Sequence, residues 1–140
     1  MQPSAADLAH DLATNPEEEG RDVAIAAEAL YLANLLLLPG LAFLALLWLW
    51  FREKDRASPL ARCHLMQTVR VSLWGGVLLV LANLFILLLG GWGQAWTWVV
   101  LILYFTTIHS TLVLMGMFGL AKAMAGRQWV YPVIGPKCDG

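Results

Sequence analysis

Arginine, cysteine, histidine and glutamine crowd the stretch ARCHLMQTVR at residues 61–70, between two strongly apolar runs. Together with His109 and Cys138, these are the side chains whose types suit a metal, a haem or nucleophilic chemistry. Their spacing argues against each. Cys63 and His64 are neighbours, and adjacent helical residues point about 100° apart, whereas helical metal pairs use i,i+3 or i,i+4 spacing. Adding Cys138 from the C-terminus gives three ligands with no spacing signature. A Cys/His nucleophile pair fails similarly, because neighbours rarely bring thiol and imidazole together. Two axial haem histidines must lie at one depth on facing helices. His64 stands at the inner edge of its apolar run, while His109 is about 12 residues, or roughly 18 Å, inside another. His10 lies in the N-terminal tail. The expectation is no catalytic residue, no metal and no intrinsic cofactor, with haem or quinone present only if shared with a partner.

The elements that must position these residues are membrane helices. Of 140 residues, 59% are hydrophobic and 14% charged, about half the charged share of a soluble domain. Leu30–Phe51, Val71–Gly90 and Ala95–Ala121 carry no charge, and each is long enough for the roughly 20 residues a span requires. A soluble all-α fold is the weaker reading, because helices apolar all round need lipid or a large surrounding core. The expected fold is an all-α integral membrane protein with three transmembrane helices at about 29–51, 66–90 and 95–121. Residues 1–22 form an acidic tail, 23–125 the transmembrane domain and 126–140 an interfacial tail. The tail after Ser4 suits either a short amphipathic helix or disorder. Pro39-Gly40 kinks the first span, and Asn34 is the polar group nearest the freed backbone. Ser58-Pro59 starts the second helix as N-cap and first residue, and Gly126 suits the end of the third.

Charge sets the expected orientation. Arg52, Lys54, Arg56, Arg62 and Arg70 crowd the first connection, the second has no charge, and Lys122, Arg127 and Lys137 follow the last span. The positive-inside rule places the first connection and the C-terminus in the cytoplasm of a bacterial inner membrane. Three spans then put the N-terminus in the periplasm. Trp92, Trp96 and Trp98 form the outer aromatic belt, and the five basic residues of the first connection face lipid phosphates. The N-terminus lacks the basic and apolar segments of a signal peptide. Cys63 and Cys138 fall on the cytoplasmic side, where thiols stay reduced, so no disulfide is expected.

Within the spans the polar residues are uncharged. Thr68, Ser72, Gly75, Gly76 and Asn83 share one broad face, and Gly116, Gly119 and Ala123 share another with His109. Small residues let helices approach and polar groups bond across them, so these faces read as packing or partner interfaces. His109, ionisable in mid-span, is a functional candidate by default; the favoured reading has it hydrogen-bonded to a neighbouring helix. His64 and Gln67, one turn apart, are placed to hold the Tyr131-Pro132 segment or a partner.

The Pro-Gly in the first span, RCHLMQ opening the second, and AMAGRQWVYPVIG after the last resemble small bacterial membrane proteins related to a chloroplast inner-envelope protein-import component. The motif residues are His64 and Gln67, then Gly126, Tyr131-Pro132 and Ile134-Gly135, within about residues 28–136. The resemblance implies a helical membrane fold and, by analogy with plastid relatives, a channel part. Small proteins of this plan also resemble accessory subunits of respiratory complexes such as membrane-bound uptake hydrogenases. The expected function is a non-catalytic accessory or assembly subunit docked on a larger membrane protein, with residues 1–22 reaching a periplasmic subunit. The alternative is a homo-oligomeric transport or translocation element lined by Asn83, Thr107 and His109. Lipid is an expected ligand and nucleic acid is not.

Overall fold

The computed structural model describes residues 2, 4–6 and 16–138, with the backbone alone for residues 16–19. From Pro16 onward four helices follow in order: α1 (Pro16–Leu36), α2 (Leu41–Glu53), α3 (Pro59–Gly90) and α4 (Ala95–Met124). No strand occurs among the described residues. The short helix expected after Ser4 falls largely outside them.

Two helices, α3 and α4, have the length and apolarity to cross a membrane. α3 starts as its sequence dictates: Ser58 Oγ accepts from Ala61 N at 3.3 Å, and Pro59 takes the first helical position. Its 32 residues make it about 48 Å long, which exceeds the hydrocarbon thickness of about 30 Å. One turn, Val77–Leu81, widens to π-helix, with Ala82 N bonding back to Val77 O. Asn83 Nδ2 donates to Leu79 O at 2.6 Å next to this turn. α3 and α4 meet at the uncharged outer turn, where a Cβ on Gly90 would fall 2.9 Å from Thr97 Cγ2. Trp98 Nε1 donates to Trp92 O at 3.0 Å across that turn.

The first apolar run differs from expectation. It is not one kinked span but two antiparallel helices. A continuous helix over these residues would separate Gly20 from Arg52 by about 48 Å. Instead Gly20 and Val23 line one cavity with Arg52, Glu53 and Ser58. Ala27, Leu46 and Leu65 form a single buried cluster with Val23, Leu30, Phe43 and Trp50 around it. The chain reverses at Leu37–Gly40, where Gly40 takes φ 86° and donates its N–H to Asn34 Oδ1 at 2.8 Å. α2, with 13 residues, is about 20 Å long and too short to span. α1 begins at Pro16, inside the stretch expected as the acidic tail, and enters from the same end as the α2–α3 connection.

This hairpin positions everything else. α1 wedges between the inner halves of α3 and α4, because its buried stripe of Ala24, Ala27, Glu28 and Tyr31 follows the i, i+3, i+4, i+7 spacing of one helical face. Tyr31 packs with Val71 and Leu112, and its hydroxyl donates to Leu112 O at 3.0 Å. The outer halves of α3 and α4 present Val80, Phe85, Leu88, Val99 and Leu103 outward, a surface that suits lipid.

The hairpin predicts which positions share a side of the membrane. In a Cys63→Ser, Cys138→Ser background, a membrane-impermeant maleimide should label Asp22→Cys and Asp55→Cys from one face and Gly93→Cys from the other. Labelling of Asp22→Cys from the Gly93 face would restore the through-span.

Candidate functional site

At the charged end, Glu28 from α1, His64 from α3 and Tyr131 from the C-terminal segment meet in a buried cluster. His64 Nδ1 lies 2.6 Å from Glu28 Oε1, and Tyr131 Oη donates to Glu28 Oε2 at 2.6 Å. His64 Nε2 lies 2.9 Å from Arg127 O. A carbonyl can only accept, so Nε2 carries a hydrogen. One further proton then lies between Nδ1 and Oε1, and the pair is net neutral wherever that proton rests. Burial, and then the Glu28 carboxyl, hold the Tyr131 hydroxyl well above the ordinary phenol range, so it stays protonated and donating.

The rest of the C-terminal segment is fastened alongside. Gln67, fully buried, donates through Nε2 to Pro136 O and accepts at Oε1 from Tyr131 N at 3.3 Å. Thr68 Oγ1 returns a bond to His64 O at 2.8 Å. Tyr131 packs edge-on to Tyr31 and to Trp129, with ring centroids 5.7 and 6.2 Å away. Two glycines permit the approach. A Cβ on Gly119 would fall 2.5 Å from Glu28 Oε2, and one on Gly135 would fall 2.6 Å from Tyr131 N. Cys63 and Cys138 are joined as a disulfide, with Cα atoms 5.4 Å apart. The expectation of reduced thiols is therefore corrected: residues 127–138 fold back along α3 and bring the two sulfurs together.

The structure thus gathers His64, Gln67, Thr68, Gly119 and Tyr131 in one place, with Gly116 above them against Tyr31. Asn34 and Gly40 are joined at the hairpin tip, where Pro39 is exposed. Pro132 and Gly76 are exposed, and Ser72 is buried with its hydroxyl unpartnered among the described residues. His109 does not bond a neighbouring helix: its Nδ1 is unpartnered among the described residues, and its ring stacks on Phe105 of its own helix at 5.2 Å. Asn83 keeps its amide nitrogen on Leu79 O and leaves Oδ1 without a partner among those residues. Thr107 is exposed on α4. Arg52 lies 5.1 Å over the Trp48 ring, and Lys54 lies 5.5 Å over Phe51. Arg56, Arg62, Arg70, Trp92, Trp96 and Trp98 are exposed. Sequence reasoning missed Glu28, which lies just before the uncharged run that begins at Leu30. The available signal was a lone acid in an otherwise small and apolar helical stripe.

A family model described as the magnetosome magnetite crystal formation protein family, MamF/MmsF, matches residues 19–137. The chain belongs to this family. The match takes in α2, α3, α4, all but the first three residues of α1, and the C-terminal segment up to Lys137. No curated protein and no solved structure matches the chain. The MamF/MmsF match overturns the likeness to the plastid import component. The residues that carried that likeness, His64, Gln67 and the segment from Gly126 to Gly135, serve an internal fastening in this chain. The match gives no pointer to a hydrogenase or another respiratory complex, a partner that rested on fold analogy.

Gly119→Ala should displace the Glu28 carboxylate from His64 and Tyr131. Loss of about 3 kcal/mol is expected, the lower end of the cost of breaking a buried charge pair, read as unfolding of the purified protein in detergent. Gly76→Ala, where an added Cβ meets nothing within 4 Å, is the comparison. Equal stability of Gly119→Ala and the parent would show that the carboxylate is not held there.

Proposed function

We propose that this chain is a non-catalytic membrane component of magnetite crystal formation, acting as an accessory to a larger assembly. The MamF/MmsF match over residues 19–137 carries this reading. The chemistry of the site supports it. Glu28, His64, Gln67 and Tyr131 are buried and spend their polar atoms on one another and on backbone carbonyls and amides, so acid, base and phenol are turned inward. The cluster acts as a clasp for the C-terminal segment.

All nine Lys and Arg side chains lie on α1, the last turn of α2, the α2–α3 connection, the first half of α3 or the chain from Lys122 onward, while the α3–α4 turn has none. We place that charged end in the cytoplasm by the positive-inside rule, so the Cys63–Cys138 bond there forms only under oxidising conditions. The hairpin brings the start of α1 to the same end, so the acidic tail leaves on the cytoplasmic side and its partner is sought there instead of in the periplasm.

Deleting the gene in a magnetite-forming bacterium that carries it should change the size or shape distribution of the crystals in electron micrographs, and the intact gene should restore it. Crystals unchanged in size, shape and number after deletion would contradict the reading.

A further inference from the structure

Arg62 directly precedes Cys63, and Lys137 directly precedes Cys138. The disulfide therefore brings two cations from distant parts of the chain to one cavity of about 420 Å³, lined also by Pro59 and Gln128. Among the described residues, no acidic residue lines it. Arg62 and Lys137 make no ion pair among the described residues, where the recorded pairs belong to Arg52 and His64. Two like charges lining one cavity repel, and an anion between them relieves that repulsion. The volume falls in the range of small-molecule sites, about 300–1,000 Å³, and the first turn of α3 at Pro59 adds the positive pole of its backbone.

The depth of the cavity narrows the ligand. Glu28 bonds His64 of α3 and packs on Gly119 of α4, so these two positions share a level. The uncharged run of α4 ends at Ala121, two residues beyond Gly119, and Arg62 lies two residues before His64. The cavity consequently opens where the hydrocarbon gives way to headgroups, the level at which basic pockets beside membrane helices meet lipid phosphates.

We propose that this cavity is a phosphate-binding site, with Arg62 and Lys137 as the charged contacts and Gln128 as the polar one. The phosphate comes from an anionic phospholipid or from solution. Arg62 supplies a planar fork of donors suited to two phosphate oxygens, and Lys137 supplies a point charge. The disulfide holds the two neighbouring backbone positions together, which reduces the tail entropy lost on binding.

The full chain, reconstituted in phosphatidylcholine nanodiscs with a minor fraction of phosphatidylglycerol, provides the test. Native mass spectrometry should show phosphatidylglycerol retained over phosphatidylcholine. Arg62→Gln and Lys137→Gln should each weaken retention about fivefold, the factor equivalent to ~1 kcal/mol per basic residue. Arg56→Gln, outside the cavity, should not weaken it. In phosphatidylcholine alone, binding of inorganic phosphate with the same dependence on Arg62 and Lys137 would assign the site to soluble phosphate. Lack of binding by either probe, or binding unchanged in the double Arg62→Gln, Lys137→Gln variant, would overturn the proposal. Both side chains are exposed, and unchanged elution of the variants confirms that they fold.

Discussion

A carboxyl group with no exposed surface, set where a membrane helix leaves the hydrocarbon, has to be neutralised and hydrogen-bonded or the helix carrying it will not stay there. Glu28 is that group. Moving an unpaired carboxylate into such surroundings costs several kcal/mol even after relaxation. His64 and Tyr131 occupy its two oxygens, one from α3 and one from the C-terminal segment. The shared proton with His64 removes the net charge. Three parts of the chain, far apart in sequence, are thereby made to depend on one another.

The consequences extend in both directions from that point. Toward the uncharged turn, α1 continues as a wedge whose Tyr31 reaches the carbonyl of Leu112, so it is held between α3 and α4 near their midpoints. Toward the charged end, the segment after α4 is turned back along α3 by Arg127, Tyr131 and Pro136, each bonded to a side chain from the His64–Gln67 turn or to Glu28. The Cys63–Cys138 bond closes the far end of that segment. A short protein thus builds a packed inner layer from α1, α2, the start of α3 and its own tail. The outer layer has just two helices, and lipid suits the surfaces they leave open.

Much of this was legible from residue types and spacing. The cap at Ser58-Pro59, the boundaries of α3 and α4 and the placement of His64 and Gln67 beside the C-terminal segment follow from local rules of helix starts, lipid-length runs and side chains one turn apart. The hairpin does not. Leu30–Phe51 is uncharged and of spanning length, and a Pro-Gly pair is compatible with a kink or a reversal; only tertiary packing of Leu46 on Ala27 and Leu65 chooses between them. Glu28 lies 36 residues from His64 and 103 from Tyr131, beyond any local pattern. The disulfide was excluded on compartment grounds, an inference that takes no account of a tail folded onto α3. The family likeness failed for a related reason: motifs that fasten a chain to itself mark a fold and do not reveal what the fold is used for.

The central claim is that Glu28 and His64 act as one unit. A double-mutant cycle of Glu28→Gln and His64→Gln, read as unfolding free energy in detergent, tests it most directly. The account predicts strong coupling, about 2–3 kcal/mol at the upper end of the range for residues in contact, with the double variant losing much less than the two single losses combined. Additivity within about 0.5 kcal/mol, the behaviour of independent sites, would contradict it.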